Sequence, residues 1–415
     1  MTSHASRRVQ GDRLLADLAA LASIGATPDG GVTRLAFSEE DIQGRRWFEA
    51  AARAAGLDTR TDGAANLSAR LPAASGDART LLIGSHLDTV RNGGRFDGAL
   101  GVLAGLEVVR TLAELGIRLP FHLEVINFTD EEGAILGEFG SHALAGNLSD
   151  EVLQQPRGGA RALGEGLERL GITPQSIGAA ARNPNSLAGY LEVHVEQGRR
   201  LEESRTDLGI VTSIVGIRSC WLTFEGEAAH GGTTPMPRRR DALWGAAAFV
   251  RCAREHVMTA HPEGVMNCGC LELPDGSFNV VPRIVRLSLE MRHGTEESLQ
   301  TMAAELTSLA EEIALAHGLS LRNDPAEQHR PALCHERLMA ETERAADRLE
   351  LSHTRLLSYA GHDAQVMCHI TPTALVFVPS VDGISHHPRE LTWDGDVVNA
   401  ANVLLHTVLG LAGDS

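Results

Sequence analysis

The chain has 415 residues, of which 43% are hydrophobic and 22% charged, and this composition is typical of a globular protein rather than a disordered, collagen-like or coiled-coil one. It carries 54 acidic residues and 37 basic ones, for a formal net charge of −17. All 37 basic residues are arginines, and the sequence has no lysine. Because nucleic acids and anionic membranes are negatively charged, this balance argues against either as a partner.

The sequence gives no signal for export or membrane insertion. Arg7 and Arg8 are not followed by an apolar stretch, which argues against a secretory signal. We find no run of 18 apolar residues, and therefore predict no membrane span. The six cysteines are scattered without a C-x-x-C pair, as is typical of free thiols in a reducing compartment. Together these observations predict a cytoplasmic protein.

The first two hundred residues alternate between strand and helix patterns. Residues 81–83 predict a strand that ends in a polar segment, and residues 98–115 predict a helix with leucines on one face. Residues 123–128 and 190–195 predict two further strands that end among acidic residues and histidine. This rhythm predicts an α/β fold with a mainly parallel sheet. Ligands in such folds bind at the carboxyl ends of the strands.

The pattern changes near residue 212. Residues 284–292 alternate apolar and polar side chains, which predicts an antiparallel strand with one face toward solvent or a ligand. Residues 297–317 return to a helical pattern, and the α/β pattern then resumes to the end of the chain. We therefore predict two domains: a discontinuous α/β domain at 1–212 plus 328–415, and an inserted α+β domain at 213–327.

Residues of the types that bind metals stand at the predicted strand ends or in glycine-rich loops. They are His86, Asp88, Asp97, Glu131, Glu132, His194 and His386. A single histidine or a Glu-Glu pair is usually structural, but three imidazoles with two carboxylates suit a borderline divalent metal such as zinc. Glu131 and Glu132 would also be costly to bury together without a cation. The pattern therefore predicts a metal centre.

Nine short motifs follow one another between residues 84 and 390, and they carry a resemblance that runs from about residue 10 to residue 412. They are G-S-H-L-D-T-V at 84–90, G-R-F-D-G at 94–98, F-T-D-E-E-G at 128–133, H-V-E-Q-G at 194–198, A-H-G-G-T-T-P-M at 229–236, N-V-V-P at 279–282, L-E-M-R-H at 289–293, G-H-D-A at 361–364 and G-I-S-H-H-P-R-E at 383–390. In these motifs the chain resembles the di-zinc amidohydrolases of the aminoacylase/carboxypeptidase type, in their hydantoinase/carbamoylase branch. That branch holds N-carbamoyl-L-amino acid hydrolases, allantoate amidohydrolases and β-ureidopropionases.

The resemblance implies a set of metal ligands. His86 and His194 would bind one divalent ion, Glu132 and His386 a second, and Asp97 would bridge the two. His387 is the alternative to His386, which we prefer because the family ligand directly follows serine. The ions would be zinc or manganese, with cobalt or nickel as alternatives.

The resemblance also implies two residues that serve the metal centre. Asp88 would orient the imidazole of His86 and raise its basicity. Glu131 would be the general base that takes a proton from a water activated by the metals. The alternatives for Glu131 are a further metal ligand or a surface acid.

Residues of the inserted domain would complete the site. The resemblance implies that the domain is a dimerisation lid of a homodimer, and that His230 reaches the partner subunit's site to bind the oxygen of the scissile carbonyl. Asn279 and Arg292 would anchor the substrate, and Arg292 suits a carboxylate. Gln197 and the backbone at Gly361 would complete the pocket. The alternative for His230 is a loop histidine at a domain hinge. The alternative for Gln197 and Gly361 is ordinary strand-end packing and turn formation.

The expected reaction is hydrolysis of a linear carbamoyl or ureido C–N bond in a substrate that carries a carboxylate. The resemblance favours an N-carbamoyl-L-amino acid, with allantoate and β-ureidopropionate as alternatives. A catalytically silent metal-binding homologue is the alternative of another class, and the presence of Glu131 with all five ligands argues against it. Four departures from the family pattern bear on the substrate rather than on the reaction: Ile135, His142, Ala229 and Tyr359.

Overall fold

The computed structural model describes residues 6–413. Within them the helices are α1 (Gly11–Ala22), α2 (Glu39–Ala54), α3 (Ala99–Glu114), α4 (Phe139–Ala145), α5 (Asp150–Gln154), α6 (Ala160–Arg169), α7 (Arg200–Ser204), α8 (Ala242–Ala260), α9 (Glu296–Ala316), α10 (Glu336–Arg348), α11 (Asp363–Met367) and α12 (Asp394–Gly413). The strands are β1 (Asp58–Thr61), β2 (Leu67–Leu71), β3 (Thr80–His86), β4 (His122–Phe128), β5 (Leu187–Val195), β6 (Leu208–Ile214), β7 (Gly216–Glu225), β8 (Ala229–His230), β9 (Val265–Asn267), β10 (Leu271–Glu272), β11 (Val280–Val281), β12 (Ile284–His293), β13 (Ser320–His329), β14 (Ala332–Leu333), β15 (His353–Ser358) and β16 (Thr373–Val378).

The chain divides into two compact units. The first runs to Thr212 and resumes over Cys334–Leu356 and from Ala360 onward. The second comprises Ser213–Leu333 and Leu357–Tyr359. It continues beyond residue 327 because β13 keeps its antiparallel pairing with β7 as far as His329, opposite Ile217.

The first unit is built on a mixed sheet with a parallel centre. Its strands run in the order β1-β2-β4-β3-β5-β16-β6, and β15 also pairs with β6. Strand β3 pairs in parallel with β4 and β5, and β5 pairs in parallel with β16, while β2 and β6 pair antiparallel at the two sides. The predicted α/β class with a mainly parallel sheet is confirmed.

The parallel centre fixes where the polar strand ends meet. Strand β3 ends at His86, β5 places His194 one residue before its end, and β4 leads into the loop that carries Glu131 and Glu132. Strand β16 leads into the loop that carries His386. Because neighbouring parallel strands end on the same edge, these side chains share the carboxyl edge of the sheet.

The helices of the first unit bury this sheet. Every residue of β4 is buried, and so are all α3 residues from Ala99 to Leu112, since α3 packs against β3 and α12. Helix α12 is long and apolar enough to cross a membrane by length and composition, but 67% of its most apolar window is buried within the protein. A helix buried to this extent has the character of a core helix.

The second unit has an antiparallel sheet in the order β10-β12-β7-β13, and β9 pairs with β12. Alternate residues of β12 are buried, as its alternating sequence predicts. Helices α8 and α9 pack on the apolar face around Phe224, Phe249 and Leu306. The short strands β8 and β11 form a separate two-stranded ribbon.

Candidate metal centre

The carboxyl edge of the first sheet brings together the five residues that the sequence predicts as metal ligands. His86, Asp97 and His194 form one group, and Asp97, Glu132 and His386 form another. In each group the ligand atoms all lie within 4.8 Å of one another. The two groups therefore share one residue, the carboxylate of Asp97.

The two oxygens of Asp97 face different groups. Its Oδ1 lies 3.1 Å from Nε2 of His194 and 3.5 Å from Nε2 of His86. Its Oδ2 lies 3.4 Å from Nε2 of His386, and the same nitrogen lies 3.4 Å from Oε2 of Glu132. This is the arrangement that a carboxylate shared by two cations requires.

The acidic groups of the centre are buried at high electrostatic cost. Burial, and after it the charge of Asp97, raise the pKa of Glu132 to about 7. Burial likewise raises the pKa of Glu131 well above its usual range. Burial also acts to raise the pKa of Asp97, but His194 and the other two histidines outweigh it and hold that pKa well below its usual range. A cation would relieve the cost of ionising these carboxylates.

Two of the imidazoles are held in the tautomer that a metal ligand needs. Nδ1 of His86 lies 3.0 Å from the backbone oxygen of Asp88, and Nδ1 of His194 lies 3.0 Å from that of Val195. Each Nδ1 therefore carries the proton and donates it, which leaves a lone pair on Nε2. The Nε2 of His194 also accepts the N–H of Gly98 at 3.2 Å. The donor set thus fits divalent ions such as zinc.

The side chain of Asp88 does not orient His86 as the resemblance implies. Its carboxylate Oδ1 lies 3.9 Å from Nδ1 of His86, so the backbone oxygen of Asp88 orients this imidazole instead. The carboxylate Oδ2 accepts the backbone N–H of Glu132 at 3.2 Å. The side chain of Asp88 therefore ties the loop of Glu132 to the end of β3.

Three further side chains support Asp97. Gln197, predicted as a substrate residue, donates from Nε2 to Oδ2 of Asp97 at 3.0 Å. The hydroxyl of Ser385 donates to the same oxygen at 2.9 Å. Oε1 of Glu390 accepts the backbone N–H groups of Phe96 and Asp97. Sequence reasoning missed Ser385 and Glu390, although both lie in the motif that contains His386.

The loop that carries Glu131 is fixed by its neighbour Asp130. Asp130 has a φ of 57°, and its carboxylate accepts the N–H groups of Ile135 and Leu136. Oε2 of Glu131 then lies 3.4 Å from Nε2 of His86. Ile135, a departure from the family pattern, is a buried core residue of this loop and packs with Phe139.

Left-handed backbone occurs at several turns of the centre. Gln197 has a φ of 57° and His386 a φ of 53°. Gly98 has a φ of 62°, and a Cβ there would lie 2.4 Å from the imidazole of His86. Only glycine fits at residue 98, because any side chain would meet this imidazole.

A buried polar group that sequence reasoning missed lies beside His194. Glu192 accepts the hydroxyls of Ser85 and Tyr190, and the ring of His362 lies 4.5 Å from that of His194. Burial and then His194 lower the pKa of His362 well below its usual range, which keeps this ring neutral. The available signal was a glutamate inside the apolar strand β5.

Two of the remaining predicted residues lie together on the β8–β11 ribbon of the second unit. His230 is exposed and pairs with Val280, so Asn279 adjoins it in the ribbon. Nδ1 of His230 accepts the backbone N–H groups of Gly232 and Thr233 at 3.0 and 3.1 Å. A neutral His230 therefore carries its proton on Nε2, where it can be donated to a ligand.

Arg292 lies on β12 and is already partly engaged. Its Nε donates to Glu290 at 2.8 Å, and its Nη1 donates to the backbone oxygen of Tyr359 at 2.7 Å. Its remaining N–H groups are the ones available to a ligand. In the first unit, Gly361 is exposed beside Glu138, whose side chain also pairs with His142.

Comparisons with known proteins agree over nearly the whole chain. The model of Peptidase family M20/M25/M40 matches residues 82–410. The N-carbamoyl-L-amino acid amidohydrolase of Geobacillus stearothermophilus is 39% identical, over 97% of this chain and 99% of that protein. The allantoate amidohydrolase of Bacillus subtilis is 34% identical over 90% of each. The crystal structure of a putative amidohydrolase/peptidase from Burkholderia cenocepacia is similar with a TM-score of 0.91, at 36% identity, over 98% of this chain and 100% of that one.

Proposed function

Because the chain belongs to Peptidase family M20/M25/M40, we propose that it hydrolyses a linear carbamoyl or ureido C–N bond in a substrate that carries a carboxylate. The relatives named N-carbamoyl-L-amino acid amidohydrolases, 32–39% identical, favour an N-carbamoyl-L-amino acid, cleaved to the amino acid, ammonia and carbon dioxide. The single observation that carries the proposal is Asp97, whose two oxygens face two separate groups of metal-ligand residues.

The family is metal-dependent, and we infer that this chain holds two divalent ions, zinc or manganese, with cobalt or nickel as alternatives. His86 and His194 would hold one ion, Glu132 and His386 the other, and Asp97 both. When bound, the ions would polarise the substrate carbonyl and lower the pKa of the attacking water. Gln197 and Ser385 would keep Asp97 in position through their hydrogen bonds to Oδ2.

Glu131 is proposed as the general base. Its carboxylate lies beside His86 and is mostly buried, so a proton taken from the attacking water would not be lost to solvent. Glu131 would then deliver this proton to the leaving nitrogen. A positioned base of this kind typically contributes 10²–10⁴-fold to the rate.

His230, Asn279 and Arg292 are proposed to bind the substrate. The proton on Nε2 of His230 suits stabilisation of the negative charge that develops on the carbonyl oxygen. The free N–H groups of Arg292 suit the substrate carboxylate. The backbone at Gly361 would line the same pocket. Gln197 is proposed to act mainly on Asp97, because its amide nitrogen already donates to that carboxylate.

The second unit is proposed to be the lid of a cytoplasmic homodimer, with each active site shared between two chains. The test is to mix two inactive variants, Glu131→Gln and His230→Ala, under conditions of proven subunit exchange. If the sites are shared, half the dimers are mixed and each has one intact site, so about a quarter of wild-type activity returns. If each site lies within one chain, no activity returns.

The reaction is tested by ammonia release in manganese-supplemented buffer. The substrates are a series of N-carbamoyl-L-amino acids, allantoate and β-ureidopropionate, and Glu131→Gln is the negative control. We expect the highest kcat/KM with an N-carbamoyl-L-amino acid. A metal-loaded protein that releases ammonia from none of them would instead be a catalytically silent homologue.

A further inference from the structure

A different group of metal-ligand residues lies in the second unit, and the proposed function does not use it. It comprises His256, His261 and Glu305, whose ligand atoms all lie within 4.8 Å of one another. Nε2 of His256 and Nε2 of His261 each lie 2.7 Å from the same atom, Oε2 of Glu305. Two imidazoles thus converge on one carboxylate oxygen.

The end of α8 makes this convergence possible. His256 and His261 are five residues apart, which would place them about 140° apart around an ideal helix. The chain leaves the helix at His261, with φ −129° and ψ 70°, and this turns the second imidazole back toward the first. Glu305 comes from α9, which packs against α8. The group therefore joins the end of one helix to the middle of another.

A third histidine adjoins this group, and one of its ring nitrogens has no hydrogen-bond partner in the part of the chain that the structure describes. The ring centroid of His293, at the end of β12, lies 6.3 Å from that of His261. His293 is 8% exposed, and its Nδ1 has no hydrogen-bond partner among residues 6–413. A buried nitrogen of this kind normally has a partner.

We propose that His256, His261 and Glu305, with His293 beside them, form a binding site for a divalent ion of the zinc class. Two imidazole nitrogens and one carboxylate oxygen are a ligand set that zinc takes with an open position for water or a fourth ligand. Nickel suits the same donors. The side chains of His256 and Glu305 are 37% and 41% exposed, so the ion would exchange with solvent and would tie α8 to α9. The alternative is a hydrogen-bonded His-Glu-His group that holds no ion.

The zinc content of the protein distinguishes a metal site from a hydrogen-bonded His-Glu-His group that holds no ion. The full chain is equilibrated with zinc, passed through gel filtration and measured for zinc per chain by mass spectrometry. The variant His256→Ala/His261→Ala is compared with wild type and with His329→Ala, which removes an exposed histidine of β13 in the same unit. We expect the double variant to hold one zinc fewer per chain than both, whatever the content of the first unit. Equal zinc content in all three proteins overturns the proposal.

A second variant protects the test against misfolding. Glu305→Gln keeps the shape of the side chain and removes the charge that a cation needs. We expect it to weaken zinc binding at this site at least tenfold in a competition titration with a zinc indicator, with unchanged circular dichroism and unchanged kcat for ammonia release. Affinity equal to that of wild type would remove Glu305 from the site and overturn the proposal.

Discussion

The two units differ in how their proposed functional residues are held. In the first unit, four side chains from separate strand ends and the loops after them converge around a buried carboxylate, Asp97, which Gln197 and Ser385 also hold. In the second unit, His230 and Asn279 are exposed on a short ribbon, and Arg292 lies on a different sheet. The first unit therefore offers a set of candidate ligands that already lie close together, whereas the second unit carries its proposed residues on two separate sheets.

The largest effect is expected from Asp97→Asn. The substitution removes the one carboxylate of the His86/His194 group and one of the two carboxylates of the Glu132/His386 group. We therefore expect loss of most bound metal and a loss of kcat of at least about 10⁴-fold. Metal per chain and ammonia release are measured together. The control is Asp382→Asn, an exposed carboxylate near His386 in sequence. Two tightly held ions in Asp97→Asn would show that the carboxylate is not shared.

Glu131→Gln sharpens the comparison within the first unit. The amide keeps the shape of the side chain but cannot accept a proton, so kcat should fall by about 10²–10⁴-fold. Metal content should stay at the wild-type value, because Glu131 is not a proposed ligand. Activity within tenfold of wild type would remove Glu131 from the role of base.

His230→Ala moves the test to the second unit. Loss of a single oxyanion donor typically lowers kcat by about 10²–10³-fold, and metal content should not change. His329→Ala removes an exposed histidine of the same unit and should leave kcat as in wild type. If His230→Ala loses metal as well as activity, the division of tasks between the two units is wrong.

The smallest effect is expected from Arg292→Ala. Losing a charged hydrogen bond should lower kcat/KM for the substrate that carries a carboxylate by roughly 30- to 150-fold. This loss corresponds to about 2–3 kcal/mol of transition-state stabilisation. An amide analogue that lacks the carboxylate should lose much less. Equal losses for acid and amide would make Arg292 structural, as its bonds to Glu290 and Tyr359 allow.

The sequence predicts which side chains meet at the carboxyl edge of the sheet, because their position depends on local patterns. Each strand of the parallel centre is a short apolar run, and the polar residue after it must lie at the carboxyl edge. The family motifs then distinguish His386 from its neighbour His387. The mainly parallel sheet was predictable for the same reason, since each strand and helix signal is complete within about fifteen residues.

The supporting contacts were not predictable, because they join distant parts of the chain. Ser385 and Glu390 act on Asp97 and Phe96 from nearly three hundred residues away. The group of His256 and His261 could not be predicted from the sequence for a different reason. Helical periodicity places the two residues on different faces of an ideal helix. They come together because α8 ends at Ala260 and the backbone turns at His261. Asp88 was expected to act through its carboxylate, but the turn after β3 brings its carbonyl closer to His86.

The left-handed backbone at Gln197 and His386 has a consequence for how this protein can change. A residue other than glycine held in this region typically costs about 1–3 kcal/mol, and asparagine pays less than a β-branched residue. Substitution by valine, isoleucine or threonine is therefore costly at both positions for reasons of folding alone. Asparagine or glycine at either position would be tolerated by the backbone, so these substitutions would remove the side chain from the site at little cost to folding.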